Sequence, residues 1–168
     1  MKFVGLILAF LITSLGGCGT PGETKPVTPP ENEQIALPER PRDDAWIPFT
    51  TDARELNQFA VDALSLGIMP WGEVRYTLRV VSASSIETVR YEGIMCATRT
   101  WRLLAFLRSD GLWSEAREPK WQDIHARSVN DQHHALQRDY LCELSHPRRL
   151  EEIIRELKKP PHQISTTR

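Results

Sequence analysis

Apolar and polar positions alternate most cleanly where Val74, Tyr76, Leu78 and Val80 are interleaved with Arg75, Thr77 and Arg79. A period of two predicts a strand with one buried face in an antiparallel sheet. Pro70-Trp71-Gly72 supplies the turn before it. After the polar break Ser82-Ala83-Ser84-Ser85, a second strand is predicted from Ile86 to Cys96. Trp101, Leu103, Ala105 and Leu107 predict a third, ending at Asp110-Gly111, a dipeptide suited to tight hairpins. Leu112 to Ala116 reads as the returning strand. Upstream, Asp52–Ala63 carries two patterns. Leu56, Phe59, Ala60 and Ala63 recur at helical spacing with Thr51 or Asp52 as a cap, whereas Leu64, Leu66 and Ile68 alternate with Ser65 and Gly67. A short helix or irregular lead-in followed by a strand fits, and helix and strand both stay open over Asp52–Ala63.

Helical patterning returns at the C-terminal end. Val129 to Leu141 has Asn130 or Asp131 to cap it and Leu136 with Tyr140 one turn apart. Pro147 opens a second helix, with Ser145 or His146 capping and Leu150, Ile153, Ile154 and Leu157 on one stripe. Pro160-Pro161 stops it and leaves a tail over 161–168. The expected class is α+β: a small antiparallel meander of four to five strands with two C-terminal helices packed on it.

Several pieces in order carry a resemblance. They are Arg75-Tyr76-Thr77-Leu78, Tyr91-Glu92-Gly93-Ile94-Met95-Cys96-Ala97-Thr98 and Asp110-Gly111-Leu112-Trp113-Ser114. Pro119-Lys120-Trp121 and His134-Ala135-Leu136 with Asp139-Tyr140-Leu141-Cys142 continue it. Together they resemble the cryptic-neisserial-protein-one-like family across roughly 43–160. The resemblance implies a domain of Gram-negative envelope proteins, often lipid-anchored, with no established activity. The turn after Cys96 departs from it, reading Arg99-Thr100 where the family pattern leads to a glycine.

The N-terminal end changes the picture. Lys2 precedes an apolar run from Phe3 to Leu15, about 13 residues, which suits a secretory signal and falls short of a membrane span. Leu15-Gly16-Gly17-Cys18 resembles a bacterial lipobox, so 1–17 reads as a lipoprotein signal peptide and Cys18 as the lipid attachment site. Gly19, in place of Asp, fits an outer-membrane destination facing the periplasm. From 18 to 42, Pro21, Pro26, Pro29, Pro30, Pro38 and Pro41 read as a tether reaching roughly 70 Å. The ordered domain is then expected over 43–160. Lys+Arg number 21 against 22 Asp+Glu, and losing Lys2 with the signal leaves 20 against 22. That balance gives no attraction to nucleic acid.

With Cys18 assigned to lipid, Cys96 and Cys142 remain as an even pair, and an oxidising compartment favours their disulfide. Two free buried thiols are the alternative, and neither Cys has a metal-site neighbour. Among reactive constellations, His133, His134 and Asp139 are the most tempting, with His125 and His146 nearby in sequence. Gln137 and Arg138, four residues on, spoil the i, i+4 ligand spacing. No GxSxG, SxxK or phosphate-cradling glycine loop occurs, and no metal or cofactor is expected. Trp71, Trp113 and Trp121, with His134, are the candidate ligand-binding residues, because indoles stack on flat ligands and anchor interfaces. The expected role is a non-enzymatic binding or structural module, anchored to the membrane through Cys18, with an envelope protein or the cell wall as partner. The alternatives are a cell-wall-directed enzyme using His134 and Asp139, or an assembly factor for an envelope complex.

Overall fold

A computed structural model describes residues 28–30, 33–51, 56–126 and 131–160. Residues 1–17, read above as a signal peptide, and Cys18 lie outside them. The sheet starts from a 3-10 turn at Asp43–Ala45 and runs as an antiparallel meander: β1 (Trp46–Phe49), β2 (Gln58–Ile68), β3 (Glu73–Val81), β4 (Glu87–Met95), β5 (Thr100–Leu107) and β6 (Trp113–Glu115). A short β7 (Gln122–Asp123) pairs with the start of β5. Seven strands thus replace the expected four to five. The returning strand expected over Leu112 to Ala116 is β6. The extra strands are short pieces, β1 and β7, whose pairing with long neighbours stabilises them where their own two to four residues show no period.

Asp52–Ala63 is strand from Gln58 onward, and residues 52–55 lie outside the description. Phe59 and Val61 reach the main core while Ala60 and Asp62 are buried on the other side. Burial on both faces erased the alternation and left a false helical spacing. Between Asp62 and Gly67 the register with β3 shifts, and the Ser65 hydroxyl accepts the Thr77 backbone N–H (2.8 Å) in place of a ladder bond.

Turn chemistry matches the breaks. Gly111 takes φ +81° in the Asp-Gly hairpin, where the Asp110 side chain accepts the Leu112 N–H. Arg99 takes φ +55°, so the position where a glycine was expected does adopt the left-handed conformation, with an arginine bearing the strain.

The helical layer is shorter than its pattern. α1 (Asp131–Ala135) passes directly into a π-helical turn (Leu136–Leu141) that buries Leu136, Tyr140 and Leu141. Residues 129 and 130 lie outside the description. Pro147 does not open the second helix: it lies in β9 (His146–Pro147), paired with β8 (Cys142–Glu143). α2 runs Leu150–Leu157 from Arg149, whose backbone N–H donates to the Glu152 carboxylate (3.2 Å). Its Ile153 and Leu157 are buried against the sheet, with Ile154 partly so.

One sheet face carries Val74, Tyr76, Leu78, Ile94 and Trp101 against these helices. The disulfide Cys96–Cys142 ties the end of β4 to β8, joining sheet to helical layer across 46 residues of chain. The opposite face carries Tyr91, Leu104 and Ala105, and Ile35 and Leu37 pack on them with Trp113. The tether expected through Arg42 therefore ends earlier: its distal part lies on the sheet, held by side chains and belonging to no strand.

Candidate functional site

Register across three strands builds a buried ionic cluster on that second face. Arg75 of β3 pairs with Gly93 of β4, and Gly93 pairs with Arg102 of β5. Both arginines project over the same bare glycine, and the Glu73 carboxylate lies between them. Its Oε1 accepts Arg102 Nε at 2.8 Å, and its Oε2 accepts Arg102 Nη2 at 2.6 Å and Arg75 Nη2 at 3.0 Å. Trp71 Nε1 donates to the same Oε2 at 2.8 Å. From the N-terminal segment, Glu33 closes the cluster, accepting Arg102 Nη2 at 2.9 Å and Arg75 Nη2 through its other oxygen.

Burial pushes the Glu73 carboxyl up, but hydrogen bonds from Arg102, Arg75 and Trp71 outweigh it and hold it below the usual carboxylate range. Burial likewise pulls both guanidiniums down, and their bonds to Glu73 and Glu33 more than restore them. The side chains of Arg75, Arg102 and Glu33 are 4%, 7% and 12% exposed, and that of Glu73 is not exposed at all. An ideal Cβ on Gly93 would sit 2.0 Å from Glu73 Oε1. Gly93→Ala must therefore displace the carboxylate from both arginines, and we expect it to cost roughly 2–3 kcal/mol, read as a lower urea midpoint.

The cluster mounts two indoles. Arg75 lies 5.6 Å from the Trp71 ring centroid and Arg102 lies 4.6 Å from that of Trp121, both cation–π contacts. Trp71 and Trp121 line a cleft of about 410 Å³ with Met95, Ala97, Thr98 and Thr100. Pro29 and Thr28, just ahead of Glu33 in the chain, also line it. The indoles are held in orientation by groups that are themselves fixed, and the cleft between them is apolar with hydroxyls at its rim. That arrangement suits a flat ligand with one apolar face.

Opposite, within the helical layer, a second polar group is sealed. Glu92 accepts the Tyr76 hydroxyl at 3.2 Å and meets His133 Nε2 at 2.8 Å, and His133 stacks on Trp101 with centroids 3.8 Å apart. Burial pushes the Glu92 carboxyl up, while His133, Arg90 and Tyr76 together bring it below its usual range. Both Glu92 and His133 are fully buried, so this group positions β4 against α1 and offers no surface to a ligand.

Of the residues singled out in the sequence, Trp71 and Trp121 come together and the others do not. Trp113 packs on Tyr91 (6.3 Å between centroids) beside Ile35 and Leu37. Neither His134 nor Asp139 lines this cleft or a second one of about 450 Å³ between β1 and the end of α2. Asp139 is ion-paired with its neighbour Arg138 (2.6 Å). Among the described residues no group of three or more His, Cys, Asp and Glu is placed to hold a metal ion, and no helix is long and apolar enough to cross a membrane. Glu73, Arg75 and Arg102 escaped the sequence reading because charged residues on the polar side of a strand read as solvated, and Glu33 escaped it because its segment read as tether. The available signal was Gly93, a glycine inside a strand, which marks close approach of another group.

A family model described as the CNP1-like family matches residues 27–158. Its span begins 16 residues before the expected domain start at 43 and takes in the segment that carries Glu33, Ile35 and Leu37. No curated protein and no solved structure matches the chain.

Proposed function

The chain belongs to the CNP1-like family, and from that premise we propose that it is a non-enzymatic, lipid-anchored binding module of the bacterial envelope. The single observation behind the binding role is the pair Trp71 and Trp121, each set on a buried arginine and together walling one cleft. The anchor rests on the lipobox-like Leu15-Gly16-Gly17-Cys18, with the thiol of Cys18 carrying lipid at the outer membrane. The Cys96–Cys142 disulfide is in keeping with an oxidising compartment. Because the segment already lines the cleft at Thr28, the leash is the 10 residues from Cys18 to Thr28. Such a length holds the domain no more than about 35 Å from the membrane, nearer than the roughly 70 Å expected from the sequence.

A photo-crosslinking residue at Thr98, on the cleft wall, tests the binding role in intact cells. We expect a defined added mass at that position and none when the residue is placed at Ser109, in the exposed hairpin turn. Equal or absent labelling at both would end the proposal for this cleft. Labelled palmitate should enter the wild-type protein and not Cys18→Ala. Labelling of both would remove the anchor.

A further inference from the structure

We infer that Arg75 and Arg102 form an oxyanion site beside the Trp71/Trp121 cleft, held closed by Glu33, and that its ligand is a sugar ring bearing a carboxylate or phosphate. The inference rests on the cleft being the binding surface and adds its ligand class and its latch.

Two guanidiniums with little exposure converge on the same pair of carboxylates, but the two carboxylates are held differently. Glu73 belongs to β3 and has no exposed side-chain surface, with a fourth bond from Trp71 added to the three from the arginines. Glu33 arrives on a segment that is in no strand, and its side chain keeps some exposure. Glu33 is thus the exchangeable partner. Without it, two cations face one anion, and an anionic group on the ligand offsets the excess positive charge. The fork also has unused capacity. Arg75 Nε is buried without an acceptor, and an oxyanion with several lone pairs can take more donors than one docked carboxylate does.

The surroundings select what carries the anion. Each guanidinium that would hold it lies against an indole walling the cleft, so a charge on the arginines places the body of the ligand between Trp71 and Trp121. Indole faces stack on the C–H face of a pyranose, and Thr98 and Thr100 offer hydroxyls at the rim. Thr28 and Pro29 line the same cleft, a few residues before Glu33. The Glu33 carboxylate therefore fills the anion site, and Thr28 and Pro29 wall the ring site beside it.

The test titrates the full chain with glucuronate, glucose 1-phosphate and glucose, following heat and tryptophan fluorescence. Emptying the latch removes the fraction of time the site is blocked, which raises apparent affinity in proportion. Glu33→Ala is expected to bind one or both charged sugars roughly tenfold or more tightly than wild type, with no such gain for glucose. The variant combining Glu33→Ala with Arg102→Met is expected to lose that gain. Glu33→Gln, which keeps the side-chain volume, should show the same order with a smaller gain and serves if the alanine variant folds poorly. Unchanged affinity for charged sugars in both folded Glu33 variants would overturn the inference. Glucose binding as well as the charged sugars in every variant would also overturn it while leaving the cleft as a binding surface. Binding of no sugar at all would overturn it too, and the crosslink at Thr98 then judges the cleft on its own.

Discussion

Glu73→Gln is expected to lower the stability of the domain by roughly 3–5 kcal/mol, the cost of removing one partner from a buried ion pair. The amide keeps one acceptor oxygen and turns an N–H₂ toward two guanidiniums that need acceptors. Arg75 and Arg102 are then left with Glu33 alone, while Trp71 Nε1 also loses its carboxylate. The pH dependence carries a second signature. A carboxyl held below its ordinary value stabilises the fold fully above the ordinary range, and this is lost as pH falls through the depressed value. Wild type should therefore lose stability in acid, and Glu73→Gln should show a shallower acid limb with its loss already present at neutral pH. Some acid slope will remain in the variant, because Glu92 is depressed as well. Urea midpoints measured between pH 3 and 7 check both points. A change under about 1 kcal/mol at pH 7 would show that the cluster does not hold β3, β4 and β5 in register.

Breaking the disulfide is the other large effect. Cys96→Ala with Cys142→Ala frees a loop of 46 residues, and chain entropy puts the loss at about 4 kcal/mol. For a domain of this size the melting temperature should fall on the order of 15 °C. The loss should also be local. Cys142 follows the π-helical turn and precedes α2, so amide exchange should quicken first in α1, α2 and the β8–β9 hairpin, while β2 to β5 keep their protection. Reduction of the wild-type protein should reproduce the effect. Uniform loss of protection over the whole sheet would show that the helical layer does not open on its own.

The two effects bear on different parts of the architecture. The disulfide couples the helical layer to the sheet, and the ionic cluster couples the N-terminal segment and the two indoles to the other face. A buried salt bridge is weak evidence for net stability, since well-packed apolar groups often do as well. The geometry of this one accounts for its presence differently: it sets Trp71 and Trp121 against buried guanidiniums and ties Glu33, with its partly exposed side chain, to the sheet.

Much of the fold was legible wherever a single face is buried. Val74, Tyr76, Leu78 and Val80 announced β3, Asp110-Gly111 announced its hairpin, and Leu150, Ile153, Ile154 and Leu157 announced α2. Elements stabilised by contacts with distant parts of the chain were less so. β2 is buried on both sides along Phe59–Asp62, so its period vanished, and Pro147 looked like a helix start although pairing with Cys142 placed it in β9. Half of the candidate cleft was legible, because Trp71 and Trp121 stand out by residue type alone, whereas Trp113 and His134 were equally conspicuous and lie elsewhere.

By itself, the order of residues determined the antiparallel strands and the amphipathic last helix, since each depends on local periodicity. The family showed through several motifs in sequence, and Cys96 and Cys142 were left as an even pair whose disulfide the fold brings together. Only the tertiary structure decided that Glu73, Arg75 and Arg102 form one buried group and that Glu33 reaches it from the segment read as tether. The reason is physical. Whether a charge is solvated or buried depends on what covers it, and these side chains are covered by a strip of chain 42 to 69 positions away in sequence, a relation that no local pattern encodes.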